Sequence, residues 1–509
     1  MTTSNRADWV GAVAVVICAC GILLARVPAR PLLGWDSYPE ILTSRILGAA
    51  DLVDTFTEQT SEGFYPSAFY RPLLNLSLAA NYALFGIEPL GYHLTTVLLV
   101  GACGLALFWL SRGLLGAGSR YGPWATLLIF LFAPVQLEII PIVSRRMDLL
   151  CGLFAVLALA SQTLRIRRPT PVAGIVPALF TAVAVGSKEA GVALVPLSFA
   201  LAIWLRPEGR FADRSRFAAR VALHHGAAVA LVFAARFGAI GGLGGHATTD
   251  PSAVATRLPL WLGSTVRQVA SAWPVSSAAD SSTSIHVVSA ISLIAVIALS
   301  LFLFRRREVG RDIARESLAE LTTIAVGGSW IVLLAGIYAV TGLLHPWYLF
   351  LPMIGFALLL GALVQRLARI RESGTRASRR AAVVGLAGIA VWAVLVARFS
   401  PLLIGFGHWN PGAEKVEAYL EELSTRIDQH PDGGYFEMRF PPQVIPGDPS
   451  PIRTDVATLV AFYSLPAWVE LRFPGRPIEL RRLARGEPPP GREEGVLLIG
   501  IRKDGATRP

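Results

Sequence analysis

The sequence predicts an all-α polytopic membrane protein of about eleven spans with a small extracytoplasmic α/β domain at its C-terminal end. Three observations lead there. Of the 509 residues, 53% are hydrophobic and 16% charged, against about 25% charged in a soluble domain, and the mean hydropathy is +0.53. The apolar residues come in blocks of about 20, the length at which a helix crosses about 30 Å of hydrocarbon. Lipid leaves an open backbone unsatisfied, so the spans are expected as helices. After residue 400 charged and alternating segments replace the apolar blocks.

The first apolar run, 9–27, follows Arg6 as a signal peptide would. It is longer than a usual signal core and no clean small-x-small site follows, so it reads as a retained first helix. Further spans are expected at 89–111, 123–140, 147–164, 171–186, 189–205, 219–240, 285–304, 321–342, 347–364 and 381–400. A cytoplasmic N-terminus places Arg112 and Arg120, Arg165, Arg167 and Arg168, the arginines of 206–220, Arg305, Arg306 and Arg307, and the arginines of 366–380 all inside. The net charge of +11 then reports topology, and no nucleic-acid partner is called for. Loops 28–88 and 241–284 and everything after Arg398 become extracytoplasmic. Residues 1–400 form the membrane domain and 401–509 the tail, in a plasma membrane (the inner membrane of a bacterium).

Within the first loop, 73–85 is apolar but too short to span, and Pro72 signals a helix start, so an interfacial or re-entrant helix is expected. Segment 258–274, with Arg267 and Trp273, reads as a second interfacial stretch. In the tail, 414–429 has helical periodicity, 436–440, 468–473 and 496–501 read as strands, and the Pro-rich 487–492 as a turn. Cys18, Cys20, Cys103 and Cys151 all fall in apolar stretches, which speaks against a disulfide framework or a Cys-rich metal site.

Against this background the first loop is notable for Trp35-Asp36-Ser37-Tyr38-Pro39-Glu40. Asp36 lies in an aromatic setting where a carboxylate can serve as base or metal ligand; the alternative is an interfacial acid beside a belt tryptophan. Glu138, near the outer end of the third span, is costly unpaired and so a functional candidate, or else a partner of Arg145 or Arg146. On the same side, Asp36 and Glu138 are placed to form a carboxylate pair, with a divalent cation (Mg or Mn) between them as an expected cofactor. Arg71, Arg145, Arg146, Lys188 and Arg236 also map to the outer ends of helices. Guanidinium forks suit phosphate oxygens, although each cation singly can snorkel or cap a helix. Lys188-Glu189 reads as a tight inter-helix turn or as a phosphate or sugar contact. His93 and His345 read as phosphate donors or as structural histidines. The glycines of 238–245 leave a membrane helix instead of joining strand to helix, so they are no nucleotide loop.

Tyr70-Arg71-Pro72-Leu73, Leu84-Phe85-Gly86 and Pro89-Leu90-Gly91-Tyr92-His93 resemble the first-loop signature of GT-C-type membrane glycosyltransferases, TMTC-like protein O-mannosyltransferases in particular. Later blocks keep the family order: Pro134 to Glu138, Ser144-Arg145-Arg146-Met147-Asp148-Leu149-Leu150, Ser187-Lys188-Glu189, Arg236, and Trp347-Tyr348-Leu349-Phe350-Leu351-Pro352. The resemblance covers about residues 30–365 and implies a GT-C-like fold. It implies sugar transfer from a polyprenyl-phosphate donor to a protein or glycan acceptor, with inversion, on the extracytoplasmic face. It maps the catalytic base onto Asp36, a second acid onto Glu138, and the donor-phosphate cations onto Arg71, Arg146, Lys188 and Arg236. The chain departs from the family where Ser37 follows Asp36 in place of a second acid, where Ala133-Pro134 replaces His-Pro, and where no tetratricopeptide array follows the membrane part. Two other classes compete: a transporter or flippase, which calls for midplane charges and an internal repeat, and a non-catalytic scaffold acting through the tail.

Overall fold

The structure is a computed structural model that describes residues 3–27, 31–34, 36–64, 68–116, 118–167, 174–206, 209–242, 244–245, 251–270, 311–341, 346–439, 464–482 and 495–500. The expected span 285–304, Trp35, Arg168, Trp273, Arg305, Arg306, Arg307, His345 and the turn 487–492 lie outside the described residues.

Helix α1 (Thr3–Arg26) leads into a first loop that folds as α2 (Ser37–Thr43), α3 (Ala49–Thr57) and α4 (Pro72–Phe85). There follow α5 (Pro89–Leu115), α6 (Tyr121–Leu131), α7 (Gln136–Ile139), α8 (Arg146–Arg167), α9 (Ile175–Ser187), α10 (Leu194–Leu205), α11 (Phe211–Ile240) and α12 (Pro251–Ala270). Helices α13 (Arg311–Thr341), α14 (Phe350–Ser373) and α15 (Arg376–Ala397) complete the bundle. The tail holds α16 (Pro401–Ile404), α17 (Asn410–Asp428), β1 (Gly434–Arg439), α18 (Ser464–Arg472), β2 (Ile478–Arg482) and β3 (Gly495–Gly500). Among the described residues 7 helices are long and apolar enough to cross a membrane, with shorter apolar helices at Tyr121–Leu131, Ile175–Ser187 and Glu189–Leu205. The chain is an integral, multi-pass membrane protein.

Every expected span within the described residues contains a helix, but two differ from expectation. The segment 123–140 is helical only to Leu131, because Pro134 has no N–H to donate and disfavours helix in the residue before it. The chain continues as the short α7 and a 3-10 turn at Val143–Arg145, so Glu138 sits in a broken, buried segment. The basic stretches expected as loops are largely helical: α11 begins at Phe211, and α15 begins at Arg376, where the Thr375 side chain accepts from the Ser378 N–H.

The basic ends gather at one end of the bundle. Arg112 pairs with Asp8 at 2.8 Å, Arg167 donates to the Leu114 carbonyl at 3.2 Å, and the Gly122 N–H donates to Gln365 at 3.0 Å. Close packing is permitted by small residues: a Cβ on Gly355 of α14 would lie 2.6 Å from the Gly327 carbonyl of α13. At the other end, α4 is about 21 Å long, too short to cross. Pro72 opens it, Gly86 closes it with φ 58°, and it buries Leu74, Leu78 and Asn81. It packs on α2, α5, α8 and α9, which fits a re-entrant element.

In the tail, β1 pairs in parallel with β2 and antiparallel with β3, giving the order β2-β1-β3. The expected strand 468–473 is instead part of α18, because Leu465, Trp468 and Val469 recur at helical spacing and all three are buried. The second strand is 478–482, which the sequence reading missed. The tail is fastened to the bundle: Trp409 Nε1 donates to the Leu137 carbonyl at 3.0 Å, Arg26 donates to the Leu402 carbonyl at 3.0 Å, and α18 packs on α2.

The first loop is held by a parallel bridge between Leu33 and Ile142. Gly34 beside it has φ +101°, and a Cβ there would lie 2.6 Å from Ile142 Cγ2. Gly34→Ala is expected to destabilise the protein by about 1–3 kcal/mol, seen as a lower Tm in detergent. An unchanged Tm would show that the loop is not locked onto Ile142.

Candidate active site

The Leu33–Ile142 bridge sets the start of α2 against the turn that opens α8. Ser37 Oγ donates to the Leu33 carbonyl at 2.7 Å, and the Glu40 N–H donates to the Asp36 carbonyl at 2.9 Å. Asp36 is therefore the N-cap residue of α2, and Glu40 follows one turn later on the same face. Asp36 is half-buried. Glu40 is 1% exposed and neither of its carboxyl oxygens has a hydrogen-bond partner. Burial, and then the neighbouring Asp36 carboxylate, push the Glu40 pKa well above the usual carboxylate range, against the opposing pull of Arg71 and Arg146.

Arg146 is fully buried. Its guanidinium donates to Ser77 Oγ at 3.1 Å, to Asn81 Oδ1, to the Tyr92 carbonyl at 3.0 Å and to Thr96 Oγ1 at 3.3 Å. These are neutral acceptors on α4 and α5, so Arg146 ties three elements together and has no open face for a ligand phosphate.

Glu138 is also fully buried, and its Oε2 accepts from Arg145 Nη1 at 2.6 Å; the same nitrogen donates to the Glu138 carbonyl at 2.7 Å. The Arg145 guanidinium stacks 3.9 Å from the Trp347 ring. Lys188 Nζ pairs with Asp148 at 2.6 Å and lies 4.6 Å from the Tyr348 ring, which stacks on Tyr338 at 4.8 Å. His93 is 2% exposed and its Nδ1 is buried without a hydrogen-bond partner. Arg145 and Lys188 are thus drawn inward to hold the broken segment and the α9–α10 turn, and His93 is buried beside them. Among the described residues no three His, Cys, Asp or Glu side chains converge as an ion would require.

Arg71 and Arg236 differ from these. Arg71 Nη2 stands 3.6 Å from one Glu189 oxygen and Arg236 Nη1 3.9 Å from the other. The Glu189 side chain is 33% exposed, whereas the tight pairs above are 5% exposed or less. Hydrogen-bonded ion pairs close to about 2.8 Å, so both arginines face Glu189 at longer than hydrogen-bond range, and its Oε2, toward Arg236, is buried without a hydrogen-bond partner. Arg71 is also within electrostatic range of Glu40, which connects this cluster to Asp36.

The structure therefore brings Asp36, Arg71 and Arg236 to one region and places Glu138, Arg145, Arg146, Lys188 and His93 in its supporting wall. Sequence reasoning passed over Asp148 and gave Glu40 no role. An acid inside an apolar span is itself a signal, and it was available at Asp148.

Glu40 supplies a pH test. Its pKa is raised in the folded protein, so above the ordinary carboxylate range the unfolded chain loses a proton that the folded chain keeps, and stability falls as pH rises. Glu40→Gln is expected to fold and to show a flatter decline of Tm between pH 5 and 8 than the unchanged protein. Parallel curves would mean that the carboxyl is not held protonated.

No family model matches the sequence. One segment is 37% identical over 92 residues to the protein O-mannosyl-transferase tmtc2 of Xenopus laevis, covering 18% of this chain and 10% of that protein. The Mus musculus TMTC2 matches at 37% over 90 residues, again 18% of this chain and 10% of that protein. The chain thus spans about a tenth of the length of the curated relatives it matches. Among solved structures, ArnT from Cupriavidus metallidurans in the apo state superposes with TM-score 0.47 at 13% identity, covering 93% of this chain and 90% of that one. The Archaeoglobus fulgidus oligosaccharyltransferase AglB, in complex with an inhibitory peptide and a dolichol-phosphate, gives TM-score 0.45 at 13% identity, covering 76% and 55%. Through its motifs and this segment, the chain resembles the GT-C-type membrane glycosyltransferases, the TMTC-like protein O-mannosyltransferases in particular.

Proposed function

We propose that the protein is a membrane glycosyltransferase that moves a sugar from a polyprenyl-phosphate donor to a protein or glycan acceptor on the extracytoplasmic face. The observation that carries this reading is a half-exposed Asp36 beside Glu40, which lies within electrostatic range of Arg71, and Arg71 with Arg236 flanking the Glu189 carboxylate. The segment shared with proteins named O-mannosyl-transferases supports it and favours a hexosyl donor. Eleven spans, a cytoplasmic N-terminus and an extracytoplasmic tail belong to the same proposal; the clustering of basic helix ends at one end of the bundle supports that orientation.

In this reaction Asp36 takes the proton of the acceptor hydroxyl, and the oxygen attacks the anomeric carbon from the face opposite the phosphate. The bond from that carbon to the phosphate oxygen breaks, its electron pair leaves with the polyprenyl phosphate, and the configuration inverts. Arg71 and Arg236 exchange Glu189 for the phosphate and stabilise the charge that develops on it. Glu138 acts through Arg145, keeping the broken segment beside α2. A divalent cation at Asp36 would supply Lewis acidity, although Glu138 would first have to release Arg145.

Asp36→Asn is expected to lower transfer by about 100-fold or more while the protein stays folded and membrane-inserted. Arg71→Gln and Arg236→Gln are expected to raise the donor KM more than they lower kcat. The readout is sugar transfer by purified protein from a panel of polyprenyl-phosphate sugars, run with and without EDTA. Full activity in Asp36→Asn removes Asp36 as base; loss in EDTA that Mg or Mn restores gives it a ligand role instead. Alternating access of the two faces in cysteine labelling would favour the transporter reading.

A further inference from the structure

At the end of the bundle away from Asp36 lies an unassigned cavity of about 510 Å³. It forms where α8 and α10 end and α11 begins, and Arg167, Arg206 and Arg214 line it. Arg236 and Arg146 stand at the opposite ends of α11 and α8. Twenty-one residues of α8 separate Arg146 from Arg167, about 31 Å of helix, so the two sites face opposite sides of the membrane.

The three guanidiniums are arranged as more than topological charge. Arg214 Nη2 donates to the Ile203 carbonyl at 2.7 Å, which fixes the group and satisfies an orphan carbonyl near the end of α10. Its Nε is buried and has no hydrogen-bond partner. Arg206 stacks 4.3 Å from the Phe217 ring, and Arg167 is tied to the Leu114 carbonyl. The N-terminus of the 30-residue α11 adds the positive end of its dipole at the same place. Among the described residues Asp213 is the one acid on the lining, and it is 63% exposed and turned to Arg216 at 3.7 Å. The remaining lining is apolar, from Ile166, Leu205 and Phe217. Trp204 and Phe211 beside it are exposed.

A charge-rich floor with apolar walls, at the boundary level of the spans, matches a phosphate that carries acyl chains. We infer that this cleft binds a phosphate-bearing ligand, and that the ligand is the head group of an anionic phospholipid of the leaflet facing the basic helix ends. The phosphodiester would sit on Arg206 and Arg214, with its first methylenes along Leu205 and Phe217. Positive-inside arginines need only be charged; these three converge on one cavity with fixed geometry.

The test is native mass spectrometry of the full chain, purified with equal phosphatidylglycerol and phosphatidylcholine. Retention of phosphatidylglycerol over phosphatidylcholine is expected, with a loss of about tenfold in Arg206→Gln/Arg214→Gln. The corresponding Arg→Lys pair keeps the charges that set topology but not the fork, and its retention should fall between the two. Inorganic phosphate in millimolar excess should fail to displace the lipid. Equal retention of the two lipids, or undiminished retention in the Gln pair, overturns the proposal. Bound inorganic phosphate without retained lipid replaces the lipid head group with free phosphate and overturns it as well.

Discussion

The rest of the structure depends on the enclosure of Arg146. A guanidinium removed from water costs several kcal/mol unless its donors find partners, and here the partners come from two other elements. Ser77 and Asn81 lie on α4, and Tyr92 and Thr96 on α5. The short α4 cannot cross the membrane, and beyond the packing of Leu74 and Leu78 this buried cation fixes its place beside α8. Once α4 is fixed, Arg71 at its N-cap and the α2 helix that packs on it are fixed too.

That arrangement divides the charged residues into two kinds. Glu138 with Arg145, and Asp148 with Lys188, close to 2.6 Å in a buried setting and further engage Trp347 and Tyr348. Breaking such a pair leaves a buried charge uncompensated, so these residues hold the wall and are poor candidates to exchange partners. Arg71 and Arg236 stand 3.6 and 3.9 Å from the two oxygens of Glu189, a side chain that is 33% exposed overall. In the proposed reaction a phosphate takes the place of that carboxylate, and a leaving group requires cations of that kind. The tail contributes to the same geometry: α18 packs on α2, and Trp409 holds the Leu137 carbonyl one residue before Glu138.

Much of this was legible in the chain. Pro72 and the short apolar stretch after it announced a re-entrant helix, the blocks of apolar residues announced the spans, and Asp36 and Arg71 stood out as polar groups in an apolar setting. What was illegible depends on contacts between segments far apart in sequence. No local pattern shows that Arg146 faces Asn81, 65 residues away, or that Lys188 meets Asp148, 40 away. The break after Leu131 was readable from Pro134, but the surrounding hydrophobicity masked it. In the tail, 468–473 read as a strand because it is short and apolar; the burial of one face of a helix against α2 decided otherwise.

The central claim is that the donor phosphate sits on Arg71 and Arg236, beside Asp36. The most direct measurement is photocrosslinking of a polyprenyl phosphate carrying a photoreactive group next to its phosphate, followed by peptide mapping. The account predicts adducts in peptides around Arg71, Glu189 and Arg236, lost when unmodified polyprenyl phosphate competes. Adducts confined to the opposite end of α8 and α11, around Arg167 and Arg214, would contradict it.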